Sequence, residues 1–307
     1  MATIAELKGL LPPDFASADR LQIDVAKGPP AGFRMPRFGP FEIDDARSLQ
    51  SEAASEAAFF EAHGFVLLAH ETVVREWDAD PASPESSEVV RLYYPEVDQL
   101  VRRRLLPGLR IEVHQWTPPL RRGRNTATPQ YAAGVHSDYG LTPEDFQVSI
   151  EAFGGRAAAE GWRSSYERDE VEAFLVIDLW RPTNMAGPLL HMPLALCDPS
   201  TVEVIDLVPT AMTGIAPSGL PTNHVALRYN PAQHWYYYPR MRTDEVLAFK
   251  LFECRKDDPG PTRFRSVLHT AFADCAAPAN AEERQSCEHR VGVTILSNQR
   301  GSRITQR

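Results

Sequence analysis

The 307-residue sequence lacks a long apolar segment, a paired-cysteine motif and an excess of basic charge. A helix that crosses a bilayer needs about 20 consecutive, mostly apolar residues, and the sequence has no uninterrupted apolar run of that length. The opening segment MATIAELKGLLPPDF also lacks the charged start and the apolar stretch of a signal peptide. These absences predict a cytoplasmic protein.

The charge balance and the cysteines narrow the range of partners. The formal net charge is −9, with 41 Asp and Glu against 32 Lys and Arg. Nucleic acids and anionic membranes attract basic surfaces, so the sequence predicts neither as a partner and favours a small-molecule substrate. The four cysteines form no CxxC pair and no zinc-finger spacing, which predicts free thiols in a reducing compartment.

Three regions differ in composition. Residues 1–42 are rich in proline and glycine without a sustained periodicity, which predicts an extended N-terminal arm lying over the surface. Such an arm can embrace a neighbouring copy, so a homodimer is predicted. Residues 43–295 are predicted to form one domain, and residues 296–307 a basic, polar C-terminal tail.

Helices are predicted mainly in the N-terminal half of this domain. The Ala- and Glu-rich segment DDARSLQSEAASEAAFFEAHG predicts a helix that ends at Gly64. A second helix is predicted in SPESSEVVRLYYPEVDQLVRRRLLPG, with a kink or break at Pro95. A third begins with Thr142 as its cap and Pro143 in its first turn. The runs FVLLAHET and LRIEVHQWT predict strands among these helices.

From about residue 172 onward the pattern changes to short β-type runs. They are AFLVIDLWRP, PLALCD, VEVIDLVP, HVALRYN, HWYYYP, EVLAFKLF, RSVLHTAF and CEHRVGVTIL, and they are separated by Pro, Gly, Asn and Asp. Runs of this length and spacing are typical of an antiparallel sandwich or a jelly-roll barrel. The sequence therefore predicts a mainly β fold with flanking helices.

The segment GVHSDYGL contains a candidate metal-binding pair. His136 and Asp138 are two residues apart, so on extended backbone both side chains leave the same face. Two histidines and one carboxylate are a common ligand set for non-haem iron(II), and His269 in RSVLHTAFAD is the candidate third ligand. A short HxD pattern is also typical of a polar turn in a chain with nine histidines.

The segment RQSCEHR contains a candidate anion-binding face. Arg284, Ser286, Glu288 and Arg290 alternate, so on a strand they share one face. If that face points inward, its guanidiniums need ionic partners, and a dicarboxylate cosubstrate held by Arg and Ser would supply them. The alternative is a solvent-facing edge with an Arg-Glu-Arg salt bridge.

The order HxD, distal His, Arg-x-Ser resembles the iron(II)- and 2-oxoglutarate-dependent dioxygenases. The resemblance implies a double-stranded β-helix, or cupin-like jelly roll, as the core and Fe(II), 2-oxoglutarate and O2 as cofactors and cosubstrates. It also implies that His136, Asp138 and His269 are the metal ligands and the catalytic residues. Arg284 and Ser286 would hold the distal carboxylate of 2-oxoglutarate from the eighth core strand.

A closer resemblance covers roughly residues 55–295. The runs VHSDYG, DLWRP, PLALCD, HWYYYPRMRTDEVLAFKLFE, HTAFAD and RQSCEHR are similar to a hydroxylase/desaturase family of fungal and bacterial secondary metabolism that includes the cephamycin methoxylation component. The resemblance implies hydroxylation, desaturation or oxidative cyclisation at an unactivated C–H bond of a small secondary metabolite.

The sequence departs from the resembling proteins at two places. The insertion ADCAAPANAEE lengthens the separation between His269 and Arg284, so Arg290 is a rival anchor for 2-oxoglutarate. In DLWRP, Asp178 stands where the family leads us to expect Asn, which changes the polarity of the pocket or is a neutral exchange.

Four residues are candidate substrate contacts. Trp180 and Arg181 can anchor a substrate or brace a strand end. His234 and Tyr236 belong to an aromatic strand that lies near the active centre in the resembling family.

Two other functions fit the same sequence. One is a metal-dependent isomerase or hydrolase on this scaffold, because His and Asp ligands also suit zinc. The other is a non-catalytic accessory binding protein. The Arg-x-Ser segment favours the oxygenase.

Overall fold

Fourteen strands and five α-helices make up the part of the chain that the computed structural model describes, which is residues 2–16, 20–25, 27, 36–78, 84–115, 119–124, 126, 128, 131–132, 134–258 and 262–298. In chain order the strands are β1 (Thr3–Lys8), β2 (Leu21–Asp24), β3 (Arg37–Asp45), β4 (Phe65–Ala69), β5 (Arg110–His114), β6 (Leu120–Arg122), β7 (Val171–Pro182), β8 (Leu194–Cys197), β9 (Leu207–Thr213), β10 (Thr222–Leu227), β11 (Trp235–Tyr237), β12 (Glu245–Arg255), β13 (His269–Ala271) and β14 (Ser286–Leu296). The helices are α1 (Ala46–Ser51), α2 (Glu56–His63), α3 (Tyr94–Leu100), α4 (Pro143–Gly154) and α5 (Arg156–Glu167).

The strands form three sheets in the described residues. The largest has the order β4-β12-β7-β14-β5, and β6 pairs with the beginning of β14. A second sheet has the order β1-β3-β11-β8-β13, and a third has the order β10-β9-β2. The pairings of β7 with β12 and β14 are antiparallel. The prediction of a mainly β fold with flanking helices is confirmed.

The HxD segment lies between two of these sheets. The backbone N–H of His136 donates to the carbonyl of His269 at 3.2 Å, and the reverse bond measures 3.1 Å. Ser137 forms an equivalent bridge to Val225 of β10. The segment therefore extends the edge of the second sheet beyond β13, which places its histidine beside the distal one.

The core explains why β7 is almost continuously apolar. Its residues are buried along nearly the whole strand because it is the middle strand of the largest sheet. Phe146 of α4 stacks on Phe252 of β12 with ring centroids 4.7 Å apart, and its ring also contacts Trp162 of α5. Helices α4 and α5 thus pack against the largest sheet through aromatic contacts.

The predicted helix boundaries are largely confirmed. Thr142 caps α4 in a reciprocal capping box with Asp145, and Gly64 ends α2 with a φ of 74°. The predicted helix before Gly64 is two helices, because the side chain of Ser55 caps a new start at the Ala58 N–H. Around Pro95, π-helical turns precede and follow α3.

The N-terminal arm contains strands that its composition did not predict. Strands β1, β2 and the first part of β3 lie within residues 1–42, and each belongs to a sheet. Gly9, at a φ of +86°, follows β1 where an added Cβ would lie 2.8 Å from the Val135 nitrogen. The arm therefore packs directly against the HxD segment. Residues 28–35 of the arm and residues 299–307 of the predicted tail lie outside the described residues.

Two further sequence predictions concern cysteines and membranes. All four cysteines are free thiols, as predicted. Among the described residues, no helix has both the length and the apolar character that a membrane span requires.

Candidate metal centre

The side chains of His136, Asp138 and His269 converge at one place. One donor atom from each lies within 4.8 Å of the donors of the other two. The two imidazole rings have centroids 4.5 Å apart, and the Nε2 of His136 lies 3.4 Å from the Oδ1 of Asp138. Two imidazoles and one carboxylate are a donor set that suits iron(II).

Backbone carbonyl groups orient both imidazoles. The Nδ1 of His136 is 2.7 Å from the Gly134 carbonyl oxygen, and the Nδ1 of His269 is 3.1 Å from that of Val267. A carbonyl accepts but cannot donate, so each Nδ1 carries the proton when the ring is neutral. Each Nε2 then has a free lone pair, as a metal ligand requires.

The electrostatic surroundings of His269 and Asp138 favour the protonation states that bind a metal. Burial and the neighbouring His136 lower the pKa of His269 to about 4, so this ring is neutral near pH 7. Burial also lowers the pKa of His136, but the hydrogen bond and the charge of Asp138 outweigh it and raise that pKa above its ordinary value. Burial alone would raise the pKa of Asp138, but the charges of Arg290 and His136 outweigh it and hold that pKa well below its usual range. The carboxylate is therefore ionised.

Arg290 contacts Asp138 rather than open space. Its Nη2 lies 3.1 Å from the Oδ2 of Asp138 and 3.1 Å from the Oε1 of Glu288. Glu288 also faces Arg122, whose Nε lies 3.5 Å from its Oε2. Glu288 and Arg290 thus belong to an ionic network that includes Asp138.

Arg284 lies in a different environment. Only 2% of its surface is exposed, and no carboxylate of the described residues lies within ion-pair distance. Its Nη1 donates to the Met192 carbonyl at 2.6 Å, and its guanidinium lies 4.1 Å from the ring centre of Tyr131 and 5.5 Å from that of Trp180. Burial lowers the pKa of this guanidinium to about 10.

Two polar atoms of the segment from Arg284 to Ser286 have no hydrogen-bond partner among the described residues. They are the Nε of Arg284 and the Oγ of Ser286, and both are buried. An unpaired buried donor costs about 1–3 kcal/mol. A buried cation without a carboxylate and a buried hydroxyl without a partner are therefore suited to an anion with several acceptor oxygens.

One cavity joins the three candidate metal ligands to Arg284. Its wall also contains Arg290, which the sequence predicted, and Asp178 and Trp180 of β7. The complete lining is Arg122, Ala132, His136, Asp138, Asp178, Trp180, Leu194, Phe249, His269, Arg284, Glu288 and Arg290. The cavity thus contains the predicted metal ligands together with Arg284 and Arg290, whereas Ser286 does not line it.

A family model described as "YDMC: Oxidoreductase/YMDC permease-like domain" matches residues 26–294. The chain belongs to this YDMC family.

Relatives of this YDMC-family chain include named oxygenases. It is 26% identical over 254 residues to the hydroxylase/desaturase efuI of Hormonema carpetanum, covering 76% of each chain. It is 27% identical over 239 residues to the hydroxylase/desaturase CTB9 of Cercospora beticola, covering 73% of this chain and 69% of the relative. The predicted relationship to hydroxylase/desaturases is confirmed.

A solved structure supports the fold. The iron and alpha-ketoglutarate-dependent endoperoxidase NvfI matches with a TM-score of 0.65 and 21% identity, covering 97% of this chain and 98% of that one. Another relative is named as the alpha-ketoglutarate-dependent dioxygenase phiK of a fungal species, with 23% identity over 69% of this chain and 71% of the relative. The expectation that this YDMC-family member is an Fe(II)/2-oxoglutarate-dependent dioxygenase is confirmed by these comparisons.

Three of the four predicted substrate contacts lie elsewhere in this YDMC-family member. Arg181 follows the cavity residue Trp180 and points to the opposite face, because neighbouring strand residues alternate. His234 is exposed in the turn before β11, and Tyr236 packs toward Phe65 with ring centroids 6.0 Å apart. Of the four predicted substrate contacts, only Trp180 lines the cavity that contains the candidate metal ligands.

Arg181 braces the strand end instead. Its guanidinium donates to the backbone carbonyl of His70 at 2.8 Å and to that of Thr243, and it lies over the rings of Trp77 and Tyr93. The side chain is fully buried. These contacts join the segment after β4 and the segment before β12 to β7.

Replacing Arg181 by methionine should lower the free energy of unfolding by about 3 kcal/mol, because the carbonyl groups of His70 and Thr243 lose the charged donor that this buried side chain provides. Urea denaturation measures this change, and the exposed Arg103 offers a matched Arg→Met control with an expected effect below about 0.5 kcal/mol. Affinity of the folded R181M variant for 2-oxoglutarate should equal that of the wild type. A large loss of affinity for 2-oxoglutarate without a loss of stability would show that Arg181 contributes to binding rather than to the strand end.

Several cavity residues had no signal in the sequence. Ala132, Leu194 and Phe249 are ordinary apolar residues of a loop and two strands, and only the tertiary structure places them beside the histidines. Phe249 contacts the His269 ring edge-on, with centroids 4.9 Å apart. Arg122 belongs to the segment RRGR, whose composition predicts a solvent-exposed loop.

Proposed function

We propose that the protein holds Fe(II) through the Nε2 atoms of His136 and His269 and a carboxylate oxygen of Asp138. With 2-oxoglutarate and O2, it oxidises an unactivated C–H bond of a small secondary metabolite. When bound, the metal and the cosubstrate supply the oxidising chemistry, and the protein supplies orientation and exclusion of side reactions. Hydroxylation, desaturation and oxidative cyclisation are the candidate outcomes, and the first two match the names of the relatives.

The observation that carries this proposal is the buried Arg284 beside the metal-binding residues. A buried guanidinium without a carboxylate is costly unless an anion joins it. A dicarboxylate that reaches from the metal to Arg284 satisfies this cation and the free hydroxyl of Ser286 together. A zinc hydrolase or isomerase would use the metal ligands, but its reaction does not require an anion-binding pair such as Arg284 and Ser286.

Arg284 is also a better anchor than Arg290. Arg290 already contacts two carboxylates, Asp138 and Glu288, whereas Arg284 contacts a carbonyl and two aromatic rings. We therefore assign the distal carboxylate of 2-oxoglutarate to Arg284 and Ser286. Arg290 instead holds the Oδ2 of Asp138, which leaves the Oδ1, on the His136 side, for the metal.

Oxygen uptake coupled to succinate release tests this function. The purified protein with Fe(II) and 2-oxoglutarate should consume O2 and form succinate in equal amounts, slowly without substrate and faster with it. A hydrolase or an isomerase would consume no O2. An accessory protein that bound both cofactors without turnover would form no succinate above the metal-only control.

The finer fold assignment belongs to the same proposal. We propose that the two larger sheets are the two faces of a double-stranded β-helix, with β14, which begins at Ser286, as its eighth core strand. The adjacency of His136 and β13 supports this assignment, because it joins the ligands that the superfamily places on the second and seventh core strands. Cytoplasmic location and homodimer formation stay predictions, and light scattering after size exclusion measures the second.

A further inference from the structure

Asp178 is the cavity carboxyl group that the proposed function leaves without a role. It is 2% exposed and lines the cavity from the middle of β7. The backbone N–H of His289 reaches this carboxyl group, but its Oδ1 has no hydrogen-bond partner among the described residues. A buried carboxyl oxygen of this kind needs a partner from a ligand.

The cosubstrate anchor is too far along the strands to supply that partner. Across β7 and β14, Pro182 pairs with Ser286, whereas Asp178 pairs with Arg290. These two rows are four residues apart, or roughly 13 Å at the usual rise per residue.

Asp178 lies instead at the metal end of the cavity. Its neighbours across the sheet are Phe249 and Arg290. Phe249 contacts the ring of His269, and Arg290 contacts the carboxylate of Asp138. The unpaired Oδ1 of Asp178 therefore lies level with Phe249 and Arg290, the two residues that contact proposed metal ligands. A substrate must approach this end of the cavity to be oxidised.

The charged groups of the cavity wall are of both signs. Its wall carries three arginines and three carboxyl groups, which are Arg122, Arg284, Arg290, Asp138, Asp178 and Glu288. Fe(II) and doubly charged 2-oxoglutarate also cancel each other, so together they add no net charge to the cavity. A hydroxyl group can donate to an ionised carboxyl or accept from a protonated one, so it satisfies Asp178 in either state.

We infer that Asp178 recognises a hydroxyl group of a neutral substrate, which rests its remaining skeleton on the apolar wall formed by Phe249, Leu194 and Ala132. This inference depends on the proposed function, because it places the hydroxyl beside the proposed metal ligands. The substrate class is thus a neutral, hydroxyl-bearing hydrocarbon skeleton, and the oxidised C–H bond lies near that hydroxyl.

Calorimetry of the full chain loaded with Fe(II) and 2-oxoglutarate under anaerobic conditions tests this inference. The probes are benzyl alcohol, toluene, benzylamine and benzoate, which share a ring and differ in the group offered to Asp178. Benzyl alcohol should bind about tenfold more tightly than each of the others. Asp178→Leu should remove its advantage over toluene, and Asp178→Asn should retain it because an amide also donates and accepts.

The outcomes separate this inference from the proposed function. Binding of 2-oxoglutarate to the metal-loaded protein is measured first, and its absence in the wild type would overturn the proposed function. With that binding intact, equal affinities for benzyl alcohol and toluene, an unchanged preference in Asp178→Leu, or tightest binding of benzylamine would each overturn the inference alone. Asp44→Leu, which removes an exposed carboxylate of β3, should behave as the wild type.

Discussion

Replacing Asp138 by alanine should abolish Fe(II) binding and O2-coupled succinate formation. The change removes the only carboxylate among the three converging donors and leaves two neutral imidazoles. Loss of an outer partner of a metal ligand typically costs 10–100-fold in affinity, so loss of the ligand itself should cost more than about 100-fold. Metal content after dialysis and the initial rate of succinate formation measure the two effects.

Two controls keep this result interpretable. Asp44→Ala removes an exposed carboxylate outside the cavity and should leave metal content and rate unchanged. The thermal midpoint of Asp138→Ala should remain close to that of the metal-free wild type, which shows that the fold persists. If the folded variant keeps a full equivalent of iron, then His136, Asp138 and His269 are not the metal site.

Replacing Arg284 by leucine should raise the KM for 2-oxoglutarate by on the order of 100-fold. The guanidinium would donate charge-assisted hydrogen bonds to the distal carboxylate, and loss of such bonds costs about 3 kcal/mol in total. The metal content should stay unchanged, because Arg284 contacts none of the three metal-binding residues in the described structure.

A cosubstrate analogue makes this prediction specific to the distal carboxylate. 2-Oxopentanoate keeps the metal-binding end of 2-oxoglutarate and replaces the far carboxylate by a methyl group. The wild type should strongly prefer 2-oxoglutarate, and Arg284→Leu should lose most of that preference. If Arg284→Leu keeps the preference and Arg290→Leu loses it, the anchor is Arg290.

The three candidate metal ligands could be proposed from the sequence because their signal is partly local. His136 and Asp138 share a face through the two-residue period of extended backbone, and this relation needs no knowledge of the fold. The partnership with His269, 133 positions later by the numbering, came from the resemblance to a known family. The structure explains the partnership by a two-hydrogen-bond bridge between the two histidines.

The same reasoning could not give side-chain direction where that direction depends on tertiary structure. Trp180 and Arg181 looked equivalent in the sequence, but one faces the cavity and the other crosses to the carbonyl groups of His70 and Thr243. Tyr236 was placed on the correct strand, yet that strand pairs with β3 and β8 and its ring packs toward Phe65. The sequence of a strand shows that its side chains alternate between two faces, but it does not show which face points into the cavity.

The N-terminal strands were missed for a compositional reason. In β1, the buried positions are Thr3, Ala5 and Leu7, whereas Ile4 is half exposed. The apolar period is therefore weak, and the nearby prolines and glycines dominate the composition. What orders this strand is its pairing with β3 and the contact of Gly9 with the HxD segment, which no local pattern reports.

An anaerobic crystal structure with Fe(II) and 2-oxoglutarate tests the central claim most directly. We expect the iron on the Nε2 atoms of His136 and His269 and on Asp138, with the distal carboxylate on Arg284 and Ser286. Iron bound elsewhere, or a distal carboxylate held by Arg290 with Arg284 still unpaired, would contradict this account.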